Sequence, residues 1–137
     1  MNIITSALIV FACAGAAQAD PIATFKQLCM QNLGNSSGAI KAGKKVGFTM
    51  ITMGPGASMG FRNSTDESLQ VNVATRHKFE CTVTTSDMAN PNAVADRFFA
   101  ELGLTGRKGK AAGKIGGKTY TFMHDTKGGE AFVVYSD

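Results

Sequence analysis

Period two dominates the middle of the chain. From Leu69 to Thr85 the odd-numbered positions read Leu, Val, Val, Thr, His, Phe, Cys, Val and Thr, and the even-numbered ones Gln, Asn, Ala, Arg, Lys, Glu, Thr and Thr. That alternation is the mark of strand with one face buried. The stretch is long for one strand, which predicts two strands with a bend or turn near Ala74 to His77. Upstream the period changes. Asp20-Pro21 supplies an N-cap and a proline at the first helical position, and Ile22, Phe25, Cys29 and Leu33 follow at spacings of three and four until Gly34. This predicts an amphipathic helix with Cys29 on its buried face. The small, polar stretch Asn35 to Lys45 reads as a loop with room for one helical turn at Ala39 to Ala42. Asn90-Pro91 repeats the cap-then-proline signal, and Val94, Phe98, Phe99 and Leu102 predict a second helix ending at Gly103. A basic, glycine-rich connection, GRKGKAAGKIGGK, leads into KTYTFMHD and EAFVVYSD, which flank Thr126-Lys127-Gly128-Gly129 and predict a closing hairpin. The order helix, strands, helix, hairpin implies an α+β fold: an antiparallel sheet with two helices packed on one face and a C-terminal β-hairpin.

The first nineteen residues alter the picture of where this domain works. MNIITSALIVFACAGAAQA has no charged side chain, an apolar run from Ile3 to Ala14 and the small-residue ending Ala17-Gln18-Ala19. It reads as a secretory signal peptide, 1–19, even without a basic residue near its start, and it leaves 20–137 as a single small domain. The run is shorter than the ~20 residues that span a bilayer, so no transmembrane span is expected after cleavage. A lipoprotein cut before Cys13 is the competing reading, disfavoured by the bulk of Phe11. Cleavage also removes Cys13. It leaves Cys29 and Cys81 as an even pair bound for an oxidising compartment, which predicts a disulfide between them. Fourteen basic residues against ten acidic give a net charge of +4, a mild bias that is no nucleic-acid signature. Asn35-Ser36-Ser37 and Asn63-Ser64-Thr65 are glycosylation sequons that matter only in a eukaryotic host.

Several stretches imitate known chemistry. Gly56-Ala57-Ser58-Met59-Gly60 matches the G-x-S-x-G elbow of serine hydrolases, but Phe61 to Thr65 offers no helical start to complete it. As a hairpin with Gly54 to Ala57 in the loop, the segment pairs Met53 with Ser58 and Met50 with Phe61, placing Val46, Phe48, Met50, Met59 and Phe61 on one apolar face. Met53, Met123 and His124 form the alternative set for a copper(I) or small-ligand site, since thioethers and imidazole suit that ion. His77 lies on the apolar parity of its strand and reads as a hydrogen-bonded, partly buried structural histidine; His124, near a hairpin end, reads as exposed. The ligand count for zinc is not met. Ala112 to Thr119 imitates a phosphate loop, yet its first glycine is missing and it precedes a strand, TYTF.

No acid-base pair, cofactor motif or metal set emerges, and the expectation is a non-catalytic periplasmic or secreted domain. It would bind a partner in the cell envelope in the manner of an inhibitor or accessory protein. The candidate contact is Arg107, Lys108, Lys110, Lys114 and Lys118, five cations without an intervening acid, in a mobile glycine-rich loop suited to weak docking on an anionic surface.

Overall fold

The protein is described by a computed structural model covering residues 20–52, 58–62, 67–72, 77–85, 91–125 and 130–137. Helix α1 runs over Pro21–Leu28, and Asp20 caps it by accepting the Ile22 N–H at 3.1 Å. At its end the Cys29 N–H donates to the Phe25 carbonyl at 2.8 Å, and one 3-10 turn follows over Met30–Asn32. The residues after Gly34 correct the loop expectation. They form a second full helix, α2, Ser36–Lys45.

Its sequence, SSGAIKAGKK, is weak helix by composition because of two glycines. Three features offset that. Asn35 caps it, accepting the Gly38 N–H at 2.9 Å; Lys44 and Lys45 complement the negative end of the helix dipole in the last turn; and Ala39 and Gly43 are buried against the sheet. Gly43 is there for contact, since a Cβ at that position would lie 2.6 Å from Leu69 Cδ2.

The seven strands are β1 Phe48–Thr52, β2 Ser58–Arg62, β3 Glu67–Val71, β4 Phe79–Thr85, β5 Lys110–Ile115, β6 Lys118–Asp125 and β7 Glu130–Ser136. They form one antiparallel sheet in the order β1-β2-β3-β4-β7-β6-β5. Helix α3, Pro91–Glu101, carries the chain from β4 towards β5 at the far edge. The long alternating stretch is two strands, β3 and β4, and the closing hairpin is β6 and β7.

One register differs from expectation. Ser58 pairs with Thr52, Met59 with Ile51 and Gly60 with Met50, one residue out of step with the pairing of Met53 to Ser58. Because strand faces alternate, that slip matters. In that register Gly60, rather than Met59 or Phe61, lies opposite Met50 and Leu69.

The helices cover one face. Leu69, Val71, Phe79, Cys81, Val83, Phe122, Phe132 and Val134 point into it from the sheet, and Ile22, Phe25, Leu28 and Phe98 meet them from above. Phe98 links the layers, its ring 5.2 Å from Phe25 and 4.9 Å from Phe132. The Cys29–Cys81 disulfide ties the end of α1 to the sheet's central strand, with Cα atoms 5.6 Å apart and both residues fully buried.

The basic connection is not a loop. Arg107 and Lys110 exchange backbone hydrogen bonds at 2.7 and 3.1 Å across a turn whose central residues, Lys108 and Gly109, have φ of 51° and 73°. Gly116 and Gly117, at 58° and 80°, make the next turn, and β5 lies between. Two successive positive φ values give the mirror-image turns that match the twist of paired strands. The segment is an ordered edge strand.

Candidate functional site

The uncovered face and the β5 edge hold most of the residues singled out from sequence. In β5 the buried Ala111 faces the helices, so Lys110, Ala112 and Lys114 stand on the open face, exposed, at the register of Met123, Thr121 and Thr119. Lys110 and Lys114 are four residues apart along a strand, about 13 Å. Arg107 and Lys108 continue the positive charge past one end of the strand, while Lys118, at the start of β6, falls at the other. Four of the five cations therefore follow the β5 edge, and Lys118 sits on the neighbouring strand at the end of the sheet. Lysines on an edge strand also deter pairing with another chain, which is a sufficient reason for their being there.

Inward from the edge the open face carries Thr82, Thr84, Glu80, Thr121, Val133, Met123 and Tyr135, nearly all half-buried. His77 leaves the expected parity just before β4 and stacks on Tyr135, ring centroids 3.9 Å apart at 24°. Its Nδ1 lies 2.7 Å from Asp137 Oδ1, so it is the partly buried, hydrogen-bonded histidine expected.

At this end of the sheet a cleft of about 410 Å³ opens among Lys78, Lys118, Thr119, Thr121 and Tyr135. Lys78 escaped the sequence reading. It precedes β4 by one residue and Lys118 begins β6, and these two strands run the same way on either side of β7, so their starts meet at one end of the sheet. Only the strand order brings them together. The charge of Lys118 was visible in sequence; its companion was not.

The copper set does not converge. Met123 lies on the open face, whereas His124 is buried on the covered face, 4.9 Å from the Phe132 ring and 6.3 Å from Phe98. Adjacent strand residues point oppositely, so the thioether and imidazole cannot share an ion. Met53 lies outside the described residues. His124 also corrects the expectation of exposure: β6 continues through it, and its even position puts it in line with Tyr120 and Phe122. Among the described residues no group of three or more His, Cys, Asp or Glu is placed to hold a metal.

Ser58 opens β2, which continues to Arg62 as strand, so the helix that a hydrolase elbow needs does not follow it. The Ala112 to Thr119 run is the β5–β6 hairpin, with no helix to receive phosphates. Among the described residues no helix is long and apolar enough to cross a membrane.

Comparison with protein-family models, curated proteins and solved structures finds no match, so function has to be argued from this chain's own residues.

Proposed function

We propose that the protein is a small exported domain, periplasmic or secreted, that works by binding rather than by catalysis. Its partner is an anionic surface of the cell envelope, met in the manner of an accessory or inhibitor module. The observation that carries this reading is the line of Arg107, Lys108, Lys110 and Lys114 on an ordered edge beside an uncovered sheet face. A buried disulfide suits the oxidising compartment to which residues 1–19 would direct the chain.

Order changes the energetics of docking. A mobile loop would lose backbone entropy on binding, about 1–2 kcal/mol per residue fixed, whereas β5 and its turns are already fixed by pairing. Each cation adds ~1 kcal/mol near an anionic membrane, within a screening length of about 8 Å at physiological salt. Co-sedimentation with phosphatidylglycerol-containing and purely zwitterionic vesicles tests it. Binding should require the anionic lipid, weaken from low to physiological salt, and disappear when Arg107, Lys108, Lys110 and Lys114 all become glutamine. Binding indifferent to lipid charge, or unchanged in that variant, rejects the reading.

A further inference from the structure

We propose that the cleft between the starts of β4 and β6 is a binding site for a phosphate ester, held by Lys78 and Lys118. The site differs from the β5 edge and does not depend on that edge's role.

The first argument is unspent charge. Among the described residues the ion pairs engage Lys26, Arg97 and His77, and neither Lys78 nor Lys118 has a carboxylate partner. Both line one concave space. Positive charge from both residues on the walls of one concavity favours an anion there. The exposed carboxylate of Asp137 also lines the cleft, its Oδ1 2.7 Å from His77 Nδ1, and offsets part of the positive charge of the two lysines. Lysine is a point charge that binds phosphate without needing the planar geometry of a carboxylate.

The second argument is the hydroxyl lining and its rigidity. Thr119, Thr121 and Tyr135 put three hydroxyl-bearing side chains on the walls, enough to supply directional donors beside the charges. Thr121 and Tyr135 are register partners in the β6–β7 ladder, and the Tyr135 ring is held by the stacked His77. The backbone N–H of Lys78 is already spent on the Ser136 carbonyl at 3.0 Å, which fixes that wall.

Size leaves room for more than a bare phosphate. The cleft measures about 410 Å³, whereas a bare phosphate needs on the order of two or three water volumes of ~30 Å³ each. The remaining space fits the organic part of an ester, such as a glycerol phosphate, whether free or as a lipid headgroup.

The test is an amide NMR titration of the disulfide-intact protein with inorganic phosphate and then glycerol 3-phosphate, chloride holding the ionic strength constant. We expect saturable shifts at Lys78, Thr119 and Thr121, with the ester binding more tightly than phosphate. Lys78→Gln/Lys118→Gln should weaken binding at least about tenfold while keeping a folded spectrum, and Lys110→Gln/Lys114→Gln should change it less than about twofold, since only the former pair lines the cleft. Shifts no larger than those from chloride, or undiminished in the folded Lys78/Lys118 variant, overturn the proposal. Phosphatidylglycerol vesicles that displace the bound ester identify the headgroup as its source; vesicles that do not displace it identify the soluble ester. Ester binding that survives while vesicle sedimentation fails would reject the edge reading alone.

Discussion

Replacing both Cys29 and Cys81 with alanine removes a crosslink between positions 52 residues apart. In the chain-entropy treatment, a loop of that size restricts the unfolded ensemble by about 14 cal/mol/K, or ~4 kcal/mol at room temperature. Both residues are fully buried, so losing the sulfur atoms also leaves small voids that add to the loss. For a domain of roughly 120 residues the unfolding entropy is about 0.25 kcal/mol/K near 60 °C, and the crosslink term alone should lower the melting temperature by about 15 °C. The deficit is large beside a total stability of about 5–15 kcal/mol. Urea unfolding followed by circular dichroism, on the oxidised protein, the reduced protein and the double alanine variant, separates the contributions: reduced against oxidised gives the crosslink, and variant against reduced gives the voids. A thiol reductant should act on the oxidised protein only where urea opens it, since exchange needs access to a sulfur. A crosslink term below about 1 kcal/mol, or rapid reduction without denaturant, would refute the account of the bond as a buried tie between helix layer and sheet.

Two further substitutions probe close contacts and turns. Gly43→Ala raises helix propensity by up to about 1 kcal/mol, but its Cβ would meet Leu69 Cδ2 at 2.6 Å inside a filled core; overpacking of about 1–3 kcal/mol should win and give a net loss in urea unfolding, whereas a stabilised variant would show that Leu69 has room to move. Lys108→Asn should stabilise the protein by a few tenths to about 1 kcal/mol, because asparagine followed by glycine is the favoured pair where both central turn residues have positive φ, as Lys108 and Gly109 do; an unchanged or lower melting temperature would count against that turn geometry.

What the sequence made legible follows from which signals are local. Asp20-Pro21 and Asn90-Pro91 marked the starts of α1 and α3 because caps and proline act within one turn. The parity of Cys29 and Cys81 put both on the covered face, and the bond between them joins the two layers there. Helix α2 was illegible because what holds it is tertiary: its glycine-rich sequence argues for loop, while burial of Ala39 and Gly43 on the sheet decides for helix. For β5 the opposite holds. The Lys108-Gly109 and Gly116-Gly117 pairs were visible turn signals, hidden under a charge run that reads as solvated linker. The edge cations of the candidate site were therefore named from sequence, but Lys78 could not be joined to Lys118 without knowing that β7 inserts between β4 and β6.

That insertion divides the sheet in time as well as in space. Strands β1 to β4 form one meander and β5 to β7 another, and the β4–β7 ladder is the seam between them. Contacts across the seam join residues far apart in sequence, such as Phe79 with Ser136, a kind of pairing that is intrinsically slow to form. Both cysteines belong to the earlier meander and its covering helix, ahead of α3 and everything after it. A chain threaded from its amino end into an oxidising compartment could thus be stapled before its last strand arrives. The preassembled half would then present β4 as a waiting edge, and β7 would complete the molecule by filling it.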